Sequence, residues 1–272
     1  MKKQRIISRE YKLVLKIDKF KGDHNAVLNK ATDFWNDLLQ HTAPVIQKAE
    51  GNLDTVGSIR KISFYDTEDS MLENANYIFR ERTNLADNSR EVTLKFRHED
   101  RYIAQDRDMQ PRRVRKPRVK FEEDIKAPFQ KLHSFSGTAP VRGKTAFRRI
   151  KDIADIYRGL TVTLNKEQSK LTIKPVNDFV AQETVITGAR LCLSAKPEVF
   201  AECALIIWHN AAEPDTTPLI GEFSFRYASK KEKYPGSVSQ IAYTIYKTLQ
   251  ENMKGWIDTK CNTKTRFVYD KG

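Results

Sequence analysis

The chain has 272 residues, with 48 Lys and Arg against 35 Asp and Glu for a formal charge of +13. Its 39% apolar content, with only 11 Gly and 10 Pro, excludes a disordered or fibrous chain and gives ample material for a core. No run of about twenty apolar residues is present, which excludes a membrane-spanning helix, and Arg9, Glu10, Lys12 and Lys16 interrupt any apolar signal core at the start. The positive excess points to an anionic partner, phosphate compounds, nucleic acid or an acidic surface, without choosing among them. Cys192, Cys203 and Cys261 are odd in number and lack zinc-site spacing, as expected for reduced cysteines of a cytoplasmic protein.

From the N-terminus, Glu10 to Ile17 alternates Tyr11, Leu13, Leu15 and Ile17 with Glu10, Lys12, Val14 and Lys16, which predicts a half-buried strand. After the Lys21-Gly22-Asp23 turn signal, Ala26 to Ala49 carries Val27, Ala31, Phe34, Trp35, Leu38 and Leu39 at helical spacing, with Pro44 as a break or second start. Arg60 to Asp66 is predicted as a strand, Glu68 to Asn76 as a short helical turn, Tyr77 to Thr83 as a strand, and Arg90 to His98 as its hairpin partner. Six basic residues among the nine from Arg112 to Lys120 lead into a strand starting near Arg118. Taken alone the basic run is a weak nucleic-acid signal; a linker feeding the strand explains it better. Gly137 to Gly143 is predicted as loop and Thr145 to Arg158 as a helix ended by Gly159. Leu160 to Leu164, Lys170 to Lys174, Glu183 to Ser194, Phe200 to His209 and Pro218 to Tyr227 are predicted strands, and their short connections favour an antiparallel meander. Val238 to Met253 presents Ile241, Ile245, Leu249 and Met253 as one helical stripe, and Thr263 to Tyr269 is predicted as a short terminal strand.

One design repeats along the chain. Glu10/Lys12, Arg80/Arg82, Lys95/Arg97, Arg118/Lys120/Glu122/Asp124 and Glu222/Arg226 fall at even spacing inside predicted strands, so each set shares one sheet face. An open sheet would turn such a face to water, which suffices for any single pair. Five such strands fit a closed sheet better, where charges of both signs point inward and are neutralised by one another and by a polyanion carrying divalent metal. Basic side chains there would hold phosphoryl oxygens, and carboxylates would hold Mg²⁺ or Mn²⁺ through hard oxygen ligands.

These residues resemble the CYTH-like superfamily of triphosphate tunnel enzymes, which includes inorganic and thiamine triphosphatases, RNA triphosphatases and a class of adenylate cyclases. The family's ExExK motif corresponds to Glu10-Tyr11-Lys12-Leu13-Val14, with Lys16 two positions beyond and only the first glutamate kept. Its tyrosine-aspartate-threonine sequence and LRxR-like strand correspond to Tyr65-Asp66-Thr67 and Ile78-Phe79-Arg80-Glu81-Arg82, and its TLK strand to Thr93-Leu94-Lys95. The basic-then-acidic strand is Arg118 to Asp124, and a later glutamate falls on Glu222, with Glu202 as the second candidate.

The resemblance implies an α+β fold, a CYTH-like antiparallel β-barrel or tunnel with flanking helices, in which residues 1–272 form one domain with a helical insertion at about 22–58. It gives Lys12, Lys16, Arg80, Arg82, Lys95, Arg118 and Lys120 the binding of substrate phosphates, and Glu10, Glu122, Asp124 and Glu222 the binding of Mg²⁺ or Mn²⁺. Glu10 and Glu122 are its catalytic candidates, with Glu10 placed to orient the attacking water. Lys12 and Val14, however, stand where the family supplies a carboxylate and a basic side chain. Three readings follow: a metal-dependent triphosphate or polyphosphate hydrolase, a noncatalytic phosphoanion-binding protein, and a nucleic-acid-binding module. No Walker A, GxGxxG, HExxH or GxSxG motif offers another enzyme class. His98 and His209 are expected as exposed or structural groups, and a homodimer stays open.

Overall fold

The computed structural model describes residues 4–112, 114, 117–143, 145–214, 217–259 and 263–270. Among them the strands are β1 Ser8–Leu15, β2 Ala49–Glu50, β3 Thr55–Asp66, β4 Tyr77–Asn84, β5 Arg90–His98, β6 Arg118–Lys126, β7 Gln130–Val141, β8 Lys174–Thr187, β9 Arg190–Ala195, β10 Glu198–Asn210 and β11 Ile220–Ala228. The α-helices are α1 His24–Thr42, α2 Met71–Asn74, α3 Arg101–Gln105, α4 Ile150–Ile156, α5 Arg158–Thr163, α6 Gly236–Asn252 and α7 Lys264–Tyr269. Strand neighbours run β11-β1-β6-β7-β5-β4-β3-β8-β10, and β10 pairs back onto β11, so these nine close into a barrel. Strands β9 and β2 extend from the other end of β10, outside the ring. This α+β barrel with flanking helices is the architecture that the resemblance implies.

The two-residue period of the strands divides apolar from charged side chains across the barrel wall. On the outside, Tyr11, Leu13 and Leu15 of β1 and Phe223, Phe225 and Tyr227 of β11 pack beneath α1 and α6, which contribute Phe34, Trp35, Leu38, Ile245 and Leu249. Each such side chain, fully buried, stabilises the fold by roughly 1.5–3 kcal/mol. Asp23 fixes the start of α1 by accepting the Ala26 N–H at 2.8 Å. A second outer cluster joins Phe79, Val92, Leu94, Phe121 and Phe135 to Ile150, Ile153, Tyr157 and Leu160. The Tyr157 hydroxyl lies 2.9 Å from the carbonyl oxygens of both Val92 and Gly137, which pins the α4–α5 corner to the wall.

Several local expectations are corrected. The meander is antiparallel at every strand pair except β1 with β6, which run parallel. Gly137 to Gly143 is not a loop throughout: β7 runs to Val141, its small polar Ser134, Ser136 and Thr138 standing opposite Glu122, Lys120 and Arg118 of β6. The single helix over 145–158 is two short ones meeting at Tyr157, and Gly159 lies inside α5 instead of ending a helix. The predicted strand 160–164 is part of α5 and the following Leu164, because Leu160 is drawn into the outer core. The strand predicted over Lys170 to Lys174 is absent: Lys170 ends the 3-10 turn Gln168–Lys170, Thr172 makes only an isolated bridge to Arg149, and β8 begins at Lys174. The strand predicted over 183–194 is divided between β8 and β9 at Gly188, whose φ of 115° turns the chain. Thr263 to Tyr269 is helical: Thr263 caps α7 through the Arg266 N–H at 3.4 Å, and Val268 is fully buried.

A basic tunnel as candidate binding site

The inward faces of the same strands line a cavity of about 320 Å³. It adjoins a second cavity of about 440 Å³, with Arg97, Lys126, Leu132, Thr263 and Thr265 common to both. Ten basic and six acidic side chains line the first, an excess of four positive charges in a confined space. Glu10, Lys12, Arg80, Arg82, Lys95, Arg118, Lys120, Glu122, Asp124 and Glu222 all stand in this wall. Lys16 does not: β1 ends at Leu15, and Lys16 is exposed beyond it. Glu202 is also exposed and away from the cavity, whereas Glu222 is inside.

Asp124 is the most heavily neutralised acid of the β1–β6 side. Its Oδ1 meets Lys12 Nζ at 2.9 Å, and its Oδ2 meets Lys95 Nζ at 3.0 Å and accepts the Ser134 hydroxyl at 2.7 Å. Burial alone would raise the Asp124 carboxyl, but Lys12, Lys95 and Arg97 hold it well below the usual carboxylate range. Lys12 also reaches Glu10 Oε2 at 3.1 Å. Glu122 accepts the Ser8 hydroxyl at 2.7 Å, while its nearest cations, Arg226 and Lys120, stand at 3.9 and 4.0 Å.

Across the lumen, Glu183 of β8 forms the second acidic centre. Its carboxylate pairs with Arg60, lies 3.8 Å from both Arg82 and Lys264, and accepts the Trp208 indole N–H at 2.9 Å. Against the upward push of burial, Lys264, Arg82 and Arg60 hold Glu183 far below the ordinary glutamate range. Lys264 also pairs with Glu222 at 3.2 Å. Arg80 differs from its neighbours. It has no carboxylate within ion-pair distance among the described residues, while its Nε, like those of Arg60, Arg82 and Arg97, is buried without a hydrogen-bond partner. Burial, and then Arg82 beside it, disfavour the charge that it carries into the cavity.

The expected Mg²⁺ or Mn²⁺ does not fit this arrangement. A hard divalent cation takes six or more oxygen ligands, yet no group of three Asp, Glu, His or Cys side chains among the described residues could hold one. Of the four acids proposed as ligands, Glu10, Asp124 and Glu222 each already meet a lysine. Cys203 is buried, and burial raises its thiol well above the usual range, which removes it as a nucleophile. Cys192 is buried as well, and Cys261 lies outside the described residues, as do Arg113, Arg115 and Lys116 of the basic run. His98 accepts the Asp100 N–H at 2.9 Å in a local turn.

Sequence reasoning passed over Glu183, Arg60, Lys126 and Lys264, and treated Arg97 and Arg226 only as members of charged faces. The signal for Glu183 was present: a lone acid between Val180-Ala181 and Val185-Ile186 in a strand otherwise suited to burial. Lys264 was hidden by the assignment of its segment to a strand. The Tyr65-Asp66-Thr67 motif proves structural, since Asp66 accepts the N–H groups of Thr67, Leu72 and Glu73 and the Tyr269 hydroxyl.

No family model and no curated protein matches the chain. Solved structures with similarity include a proposed adenylyl cyclase from Hippeastrum with a dominant triphosphatase activity, 12% identical, with 98% of this chain and 96% of that chain covered and a TM-score of 0.47. A proposed adenylate cyclase from Bacillus halodurans is 9% identical over 96% of this chain and 97% of its own, with a TM-score of 0.41. One from Vibrio parahaemolyticus is 7% identical over 97% and 99%, with a TM-score of 0.35. No helix among the described residues is long and apolar enough to cross a membrane.

Proposed function

We propose that the tunnel binds a linear condensed phosphate, such as tripolyphosphate, a polyphosphate end or the phosphate chain of a triphosphate compound. The observation that carries this reading is Arg80, a guanidinium projecting into the cavity with no carboxylate partner, beside an Arg82 that shares Glu183 with two other cations. A polyanion placed there relieves the repulsion among Arg80, Arg82, Lys95 and Lys120 and supplies the missing acceptors. Guanidinium groups grip phosphoryl oxygens through fixed pairs of N–H donors, and the enclosed lumen strengthens each contact. Duplex nucleic acid is disfavoured as the ligand, because the charge lies inside a narrow cavity instead of on an outer groove.

Calorimetry with tripolyphosphate at moderate ionic strength tests the reading. Arg80→Ala is expected to weaken binding by about tenfold to a hundredfold, the worth of a charged hydrogen-bonded contact, and Lys16→Ala to leave it unchanged. Equal losses from both would trace the attraction to net charge. Metal-dependent hydrolysis is the second reading, favoured by Glu122, a lining carboxylate whose nearest cations stand at 3.9 and 4.0 Å. Its test is release of phosphate and pyrophosphate with Mg²⁺ or Mn²⁺, abolished in Glu122→Gln while anion binding survives. Wild-type protein that binds tripolyphosphate and releases neither product removes the hydrolytic reading.

A further inference from the structure

The carboxylates of β1 and β6 meet at a point that already holds a cation. Parallel pairing sets Glu10 opposite Asp124, and the lumen faces of both strands bring the two acids together. Two facing carboxylates destabilise one another unless a positive charge stands between them. The Lys12 ammonium does so, 3.1 Å from Glu10 Oε2 and 2.9 Å from Asp124 Oδ1. The second Asp124 oxygen meets Lys95 and Ser134, so both oxygens of this acid already face a cation.

We propose that Lys12 is the tunnel's built-in counter-cation, standing where a divalent ion would bridge Glu10 and Asp124, so that the site takes condensed phosphate as the metal-free anion. This rests on the phosphoanion reading of the tunnel and specifies the ionic form of its ligand. A magnesium complex of triphosphate brings two further positive charges into a lumen that already carries an excess of four, with no carboxylate pair free to receive the ion. The metal-free anion offers the larger negative charge and its full set of oxygens to Arg80, Arg82 and Lys120. Complexation by Mg²⁺ therefore competes with the protein for the ligand.

Two measurements on the wild type decide the matter: calorimetry of tripolyphosphate in EDTA and in excess Mg²⁺, and electron paramagnetic resonance of Mn²⁺ with protein alone. Binding in EDTA, weakened about tenfold or more by Mg²⁺, with no Mn²⁺ taken up, is the expected result. Binding that requires Mg²⁺, or stoichiometric Mn²⁺ uptake by the wild type, overturns the role of Lys12 and leaves the phosphoanion reading standing. No binding of tripolyphosphate in either condition overturns the phosphoanion reading and this inference with it. Lys12→Met, checked for folding by circular dichroism, is expected to lose about tenfold in EDTA, to take up one Mn²⁺ between Glu10 and Asp124, and to recover binding when metal is supplied. If that variant does not fold, the wild-type measurements still give the answer.

Discussion

Lys95 makes the tunnel sensitive to pH. Burial presses its ammonium down to about 8 although Asp124 lies 3.0 Å away, and Arg97 and Lys12 add to the depression. A bound polyanion favours the charged form, so tripolyphosphate affinity is expected to fall as pH rises through about 8 and binding to take up protons. Calorimetry in buffers of different ionisation enthalpy reads the uptake, and Lys95→Met should flatten the profile. For stability the sign reverses: the unfolded chain keeps this proton longer than the folded one, so Lys95 makes stability rise with pH between about 8 and its unfolded value near 10.4. Glu183 has the same sign in an acidic window: its depressed folded value gives stability that is present above about pH 4 and lost as pH falls toward that value. Glu183→Gln leaves Arg60, Arg82 and Lys264 without their shared acid, and urea denaturation is expected to show a loss of about 3–5 kcal/mol. The charged faces were legible in sequence because even spacing alone fixes which side chains share a sheet face. Glu183 was less legible: its cations come from β3, β4 and α7, and only the closed ring brings them to it.

At the scale of elements, the segment crossing the outside of β7 is held by two glycines. A side chain on Gly137 would meet the Met109 carbonyl oxygen at 1.8 Å, and one on Gly159 would meet that of Asp108 at 1.9 Å. Neither backbone can yield without moving the α4–α5 corner from the wall, where Tyr157 is bound to the Gly137 carbonyl. Gly137→Ala is therefore expected to lower the melting temperature by several degrees, whereas Gly236→Ala, with open space around its Cβ, is expected to be neutral or slightly stabilising. The same packing explains why this region was misread. In β7 the lumen face is serine and threonine beside a glycine needed for close approach, a composition that suggests a turn when the partners Lys120 and Arg118 are unseen. Longer periodic elements, β5, β10 and α6 among them, were readable because their own apolar faces specify them.

At the scale of the whole molecule, a ligand bound only by the closed barrel stabilises it by mass action, by about 2.7 kcal/mol at one hundred times its dissociation constant. Tripolyphosphate is expected to raise the melting temperature of the wild type and, at the same concentration, to raise that of Arg80→Ala by about half as much or less, measured by scanning calorimetry. The closing stave of the barrel is β1, bonded on one edge to β6 and on the other to β11. Its contact with β6 already spans 114 residues at the Ser8–Glu122 bond, and its contact with β11 spans most of the chain. Such distant pairings form slowly, since the long intervening loop must be ordered before the contacts repay it. During synthesis β1 therefore waits for β11, made some two hundred residues later, and the inward-facing cations remain in water until then. No partly made chain has a lumen, so a nascent protein lacking β11 is unable to trap phosphate in the place where the finished one does.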